Sequence, residues 1–86
     1  MSIRVELTYD MSKALGVRNF DIEAAATVRE VVEQTEARFA GGDEFAKLAR
    51  LTAIAVNGVL ISYRKGMKTK LADGDRVGFV KAAAGG

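Results

Sequence analysis

The residues of this 86-residue chain that could do chemistry are few, and the last two stand out. Gly85-Gly86 presents a main-chain carboxylate with no side chain beside it. At neutral pH that carboxylate is ionised, its reference pKa being roughly 3.5, and it is a poor electrophile. It reacts only after something else activates it. Neither glycine has a Cβ, so this end of the chain is thin and reaches φ values closed to other residues. A segment of that kind can thread a narrow channel into another protein. Gly86 is therefore the candidate reacting residue, with Gly85, Ala84 and Ala83 as the threading segment behind it.

Other chemistry is sparse. The chain has no Cys and no His. That excludes a thiolate nucleophile, a CxxC redox pair, a disulfide framework and cysteine zinc sites. It also removes the usual general base near neutral pH. Asp73-Gly74-Asp75 offers two carboxylates without further ligands in register, a poor calcium loop, and reads as a turn. Lys65, Lys68 and Lys70 could hold phosphate, but no glycine-rich loop precedes a helix there. No metal and no bound cofactor are expected, and any catalysis by the chain itself would rest on Asp, Glu, Lys, Ser or Tyr.

Charge is unevenly spread. Residues 1–62 carry 7 basic and 9 acidic side chains. Residues 63–86 carry Arg64, Lys65, Lys68, Lys70, Arg76 and Lys81 against only Asp73 and Asp75. This gathering suits a solvated rim or electrostatic steering toward an acidic partner. Nucleic acid is disfavoured, because no aromatics interleave with the cations. No apolar run nears the ~18 residues that span a bilayer. The start, Met1-Ser2-Ile3-Arg4-Val5-Glu6-Leu7, lacks a signal-peptide apolar region, so a cytoplasmic protein, monomeric when free, is expected.

The elements that must position the end of the chain are legible in part. Ile3, Val5 and Leu7 alternate with polar neighbours as a half-buried strand does. Asp10 to Gly16 reads as a loop. Phe20 and Ile22 suggest a second strand, in a hairpin with the first. Thr27-Val28-Arg29-Glu30 has the form of a capping box, with Glu30 reaching back to the Thr27 N–H. Val28, Val31, Val32 and Phe39 fall on one helical face, and Arg29 and Glu33 lie four apart on the wet side. Gly41-Gly42 stops that helix, and Asp43 caps a shorter one in which Phe45, Leu48 and Ala49 share a face. Ile54 and Val56 mark a third strand. Asn57-Gly58 supplies a type I′ turn into a strand at Val59-Leu60-Ile61. Residues 63–70 are irregular, with a turn at Gly66. Leu71 plugs the core. Val77 and Phe79 point inward on the last strand, while Arg76, Gly78 and Val80 point outward. Val80, Leu60, Arg76 and Lys81 are the candidate partner contacts.

The order predicts an α+β fold, a mixed four- to five-stranded sheet packed on one main helix plus a short helix. Residues 1–80 form one domain, and 81–86 a flexible tail. This looks like the β-grasp of ubiquitin-like proteins. The stretch Leu71-Ala72-Asp73-Gly74-Asp75-Arg76-Val77-Gly78-Phe79-Val80-Lys81-Ala82-Ala83-Ala84-Gly85-Gly86 resembles the end of the MoaD/ThiS sulfur-carrier family. That family's pattern runs L-x-D-G-D-x-V, an apolar strand, then a short tail closing on Gly-Gly. Val56-Asn57-Gly58 is similar to its preceding hairpin. Members of the molybdopterin type often carry Pro-Pro before the end, where this chain has Lys81-Ala82.

The resemblance implies an E1-like adenylating partner of the MoeB/ThiF type, which would join the Gly86 carboxylate to AMP from ATP. A sulfur donor would then yield a C-terminal thiocarboxylate, which donates sulfur in cofactor biosynthesis. The first expectation is the small subunit of molybdopterin synthase, with the large subunit as acceptor. The alternatives are a carrier for thiamin or another thiolation pathway, and a ubiquitin-like modifier joined to lysine. A TGS-type binding module, also β-grasp with a similar turn, ranks behind them.

Overall fold

Strand β1, Ile3–Glu6, buries Ile3 and Val5 and turns Arg4 and Glu6 to water. The computed structural model describes residues 1–81. After β1 come helix α1 (Tyr9–Leu15), strand β2 (Asn19–Ile22), helices α2 (Val28–Arg38) and α3 (Gly42–Ala49), and strands β3 (Thr52–Val56), β4 (Val59–Leu60) and β5 (Arg76–Lys81). Two short 3₁₀ turns, Ile61–Tyr63 and Gly66–Lys68, join β4 to β5. The sheet runs β2-β1-β5-β3-β4, with β1 and β5 parallel and the other pairs antiparallel. Ile3, Val5, Phe20, Ile22, Ile54, Val56, Val77 and Phe79 meet Val28, Val31, Val32, Phe45 and Met11 in one core. This is the expected α+β layering, with one helix more.

The additional helix is α1, where a loop was expected. Thr8 Oγ1 accepts the Met11 N–H at 3.2 Å, and Gly16 closes the far end at φ 78°. Met11 is fully buried and Leu15 packs beside it. Two inward residues in 7 give too little periodicity to separate a short helix from a loop.

Three other expectations change at helix ends. α2 stops at Arg38, and Phe39 is extended at φ −114° and ψ 149° rather than on the helical face. Its ring still reaches the core flank, edge-on to Phe20 at 4.9 Å. Gly42 does not end a helix but begins α3, and Asp43 lies in the first turn instead of capping it. The reason is close approach: a Cβ on Gly42 would sit 2.0 Å from the Glu36 carbonyl oxygen, and one on Gly41 2.1 Å from that of Ala14. No other residue fits where the chain crosses α2 and α1 so tightly. The cap of α2 also shifts by one residue. Thr27 Oγ1 accepts from Glu30 N–H at 3.4 Å, but the backbone N–H that the Glu30 carboxylate accepts is that of Ala26 rather than of Thr27, whose hydroxyl donates to Glu30 Oε2 at 3.5 Å. Arg29 and Glu33 are both exposed, as expected, yet the ion pair found among the described residues is Arg4–Asp21 at 2.8 Å.

The later elements follow the sequence closely. Asn57 at φ 50° and Gly58 at φ 84° form the tight turn between β3 and β4. β4 is shorter than expected, since Ile61 already belongs to the first 3₁₀ turn. β5 is longer: Lys81 pairs with Thr52, so the strand includes a residue assigned to the tail.

Candidate functional site

β5 positions the end of the chain, and its two faces have different uses. Val77 and Phe79 are buried against the helices. Phe79 stacks edge-on with Phe45 at 5.4 Å. Arg76, Gly78 and Val80 take the opposite pleat. Val80 stands opposite Ala53, Gly78 opposite Ala55, and Leu60 opposite Ala55 from the other side. Directly opposed residues share a face. Val80, Leu60 and Arg76 therefore lie together on the outer face, with small Ala53, Ala55 and Gly78 between the two large apolar side chains. Val80 is 49% exposed and Leu60 half-buried. Lys81 is exposed at the rim, on the other pleat from Val80. Ala83, Ala84, Gly85 and Gly86 lie outside the described residues.

Two residues near the rim were missed by the sequence reading. Tyr9 is 74% exposed, beside a groove of about 400 Å³ lined by Thr8, Tyr9, Asp10, Phe79, Val80 and Lys81. Lys13 Nζ stands 5.3 Å from the Tyr9 ring centroid. Leu51 is 72% exposed and immediately precedes Thr52, the register partner of Lys81. Reading Thr8 as a cap would have placed Tyr9 outward on the first turn of α1. Tyr9, Leu51 and Val80 thus leave apolar surface uncovered near the end of β5.

The Asp73-Gly74-Asp75 turn holds this strand in place. Asp73 Oδ1 accepts the Ser2 N–H at 2.7 Å, and Gly74 N–H, at φ 87°, donates to the Ser2 carbonyl at 2.8 Å. Asp75 Oδ2 accepts the Ala72 N–H at 2.8 Å, and its Oδ1 accepts from Asn57 Nδ2 at 2.9 Å. Asn57 Oδ1 in turn accepts the Arg76 N–H at 2.9 Å. One turn thus ties the start of β1, the β3–β4 turn and the start of β5. Its carboxylates are spent on N–H groups. Among the described residues no cluster of His, Cys, Asp or Glu could hold a metal.

The bond from Ala72, then that from Asn57, holds the Asp75 carboxyl below its ordinary 3.8; burial opposes this and the Arg64 guanidinium adds to it. A carboxyl with a depressed folded-state pKa stabilises the fold fully at neutral pH. That contribution disappears as pH falls below about 4 and through the folded value. Asp75→Asn is therefore expected to be less stable than the parent at pH 7 and to converge on it in acid. Denaturant titrations at several pH values check this; parallel stability curves would contradict it.

Similarity to known proteins follows the same pattern. The family model described as the ThiS family matches residues 11–86. A chain of the BexX/CysO complex from Amycolatopsis orientalis is 26% identical, covering 98% of this chain and 99% of that one, with a TM-score of 0.77. A chain of the complex of subunits 1 and 2 of the molybdopterin-converting factor from Helicobacter pylori is also 26% identical, covering 100% of both, with a TM-score of 0.69. The HVO 2177 protein of Haloferax volcanii is 25% identical, covering 100% of this chain and 87% of that one, with a TM-score of 0.73. No curated protein sequence matches the chain. With its β-grasp sheet, its D-G-D turn and a match that includes Gly85-Gly86, the chain belongs to the ThiS family, among the ubiquitin-like sulfur carriers.

Proposed function

We propose that Gly86 is the reacting residue of a sulfur carrier, activated by adenylation and converted to a thiocarboxylate. The observation that carries this reading is the family match to residues 11–86, which takes in the terminal Gly-Gly. A Gly86 carboxylate oxygen attacks the α-phosphorus of ATP, giving the acyl adenylate and releasing pyrophosphate. A sulfide donor then attacks the acyl carbon, AMP leaves, and the terminus becomes –COS⁻. The chain supplies no catalytic side chain to either step; an adenylating enzyme of the MoeB/ThiF type does. The outer face with Val80, Leu60 and Arg76 is the surface this enzyme and the sulfur acceptor would hold, and Gly85, Ala84 and Ala83 are the part that enters their active sites. Residues 81–86 act as the delivered segment, although the backbone of Lys81 is already paired in β5.

The first pathway we assign is molybdopterin synthesis, with this chain as the small subunit. The likeness to a chain of the molybdopterin-converting factor complex supports it. The second reading is a carrier for another thiolation pathway, supported by equal identity to a chain of the BexX/CysO complex and by Lys81-Ala82 in place of a Pro pair. Conjugation to lysine as a protein modifier needs the same adenylate.

Adenylation is tested by ATP–pyrophosphate exchange with the adenylating enzyme of the same organism. The full chain is expected to support exchange and the chain lacking Gly86 to support none. Val80→Asp should raise KM by about tenfold or more at little changed kcat, because it places a charge in a desolvated contact. Exchange that persists without Gly86 would refute the reading, and an unchanged KM for Val80→Asp would remove the outer face from it.

A further inference from the structure

The basic residues between β4 and β5 do not belong to the outer sheet face. They occupy a separate flank, where the chain leaves the sheet edge and crosses to the start of α2. Arg64, Lys65, Lys68 and Lys70 are all exposed, and no acidic residue occurs from Ile61 to Ala72. Tyr63, 81% exposed, joins Arg64, Lys65, Thr69 and Lys70 around a depression of about 400 Å³.

This flank is built rigidly. Thr69 is buried; its Oγ1 donates to the Gly66 carbonyl at 2.6 Å and accepts the Lys65 N–H at 3.2 Å. The Thr69 carbonyl accepts the Val28 N–H at 3.1 Å, and Leu71 N–H donates to the Ala26 carbonyl at 2.9 Å. The backbone that carries the four exposed cations is thus clamped, with Arg64, Lys65 and Lys70 around one depression. Like charges so placed repel one another and cost stability. The carboxylates at the borders of the flank, Glu30 and Asp75, are fewer than the four cations, and of these Asp75 acts on Arg64. Glu30 is engaged with the Ala26 N–H, and Asp75 with Ala72 and Asn57. None of the four forms an ion pair among the described residues.

We propose that this flank is a second docking surface, and that it takes an acidic segment of a partner protein. Charge complementarity selects an anionic partner. The boundaries select its kind. Glu30 lies at one border, beside the Thr27–Lys70 bridge, and Asp75 at the other, close enough to Arg64 for their charges to interact. A long phosphate backbone tracking across the patch would run onto these carboxylates. A short run of Asp or Glu needs only the cations between these borders, where Tyr63 lines the same depression as Arg64, Lys65 and Lys70. Such a contact adds encounter rate and orientation to the apolar contact at Val80 and Leu60. It does not depend on the chemistry at Gly86.

The test is the binding of a fluorescent octaglutamate peptide by anisotropy, at low and at physiological salt. The parent chain is expected to bind saturably, and more weakly in salt. Lys65→Glu/Lys68→Glu/Lys70→Glu should weaken binding by at least about tenfold. Lys13→Glu/Lys47→Glu/Arg50→Glu, which changes net charge equally on α1 and α3, should leave it nearly unchanged, as should Val80→Asp. Circular dichroism establishes that each variant is folded; where a triple glutamate variant is not, the triple alanine variant replaces it. Absence of saturable binding would overturn the proposal, as would equal loss in the α1/α3 variant. Equal or tighter binding of an oligothymidylate of the same charge would assign the flank to nucleic acid instead.

Discussion

Replacing Gly85 with valine is expected to lower the rate of sulfur loading on the order of 100-fold and to leave the melting temperature almost unchanged. The loss has a steric origin. A β-branched side chain next to the reacting carboxylate widens the segment and closes the φ values that glycine allows. A displacement of about 1 Å at a reacting centre is enough for a loss of this size. Stability is expected to be spared because, among the described residues, the buried core runs from Ile3 to Phe79. Substitutions away from a core usually change stability by no more than about 0.5 kcal/mol. Single-turnover loading with the adenylating enzyme, beside thermal unfolding followed by circular dichroism, separates the two effects. Loading at the parental rate, or a large fall in melting temperature, would contradict the account.

Phe45→Ala is expected to do the reverse, removing a large part of the stability while leaving the chemistry of the folded fraction intact. Phe45 is fully buried and its ring meets that of Phe79 edge-on at 5.4 Å. Truncating such a side chain costs about 3–5 kcal/mol. A domain of this size holds only about 4–13 kcal/mol at the usual per-residue scale. The melting temperature should therefore fall by roughly 15–30 °C. Urea denaturation measures the loss, and loading assayed at low temperature, corrected for the folded fraction, should stay near the parental rate. A loss below about 1 kcal/mol would mean that the β5–α3 contact does not anchor the strand that leads to Gly86.

What could be read from the residues alone depended on the length of each pattern. β5 was legible because Val77 and Phe79 alternate with Arg76, Gly78 and Val80 directly after a D-G-D turn, and the structure buries the first pair and exposes the others in varying degree. Asn57-Gly58 was legible because only a few residue pairs accept positive φ in succession. α1 was not, because one capping Thr and two inward residues resemble a polar loop. Gly41-Gly42 was misread for a related reason. Glycine commonly ends helices, but here it admits two carbonyl groups to about 2 Å from where side chains would begin, and sequence carries no sign of that crossing. Phe39 kept its helical spacing from Val32 yet left the helix, since tertiary packing against Phe20 set its place.

The candidate site divides in the same way. Val80 and Arg76 were found by alternation, with Leu60 expected on the same face, and the strand register places all three on one face of the fold. Tyr9 and Leu51 were missed, because their place beside the end of β5 depends on how α1 and α3 pack. The basic stretch was seen as one group. The fold separates it into Arg76 on the outer sheet face, Lys81 at the rim and four cations on the flank near α2.

The central claim, that sulfur is carried on Gly86, is tested most directly by intact mass. The chain is incubated with its adenylating enzyme, ATP and a sulfide donor, and compared with a sample lacking ATP. The account predicts an ATP-dependent gain of about 16 Da, the exchange of one oxygen for sulfur, confined by fragmentation to Gly86. A gain of the same size in the chain lacking Gly86, or one that maps to another residue, would contradict it.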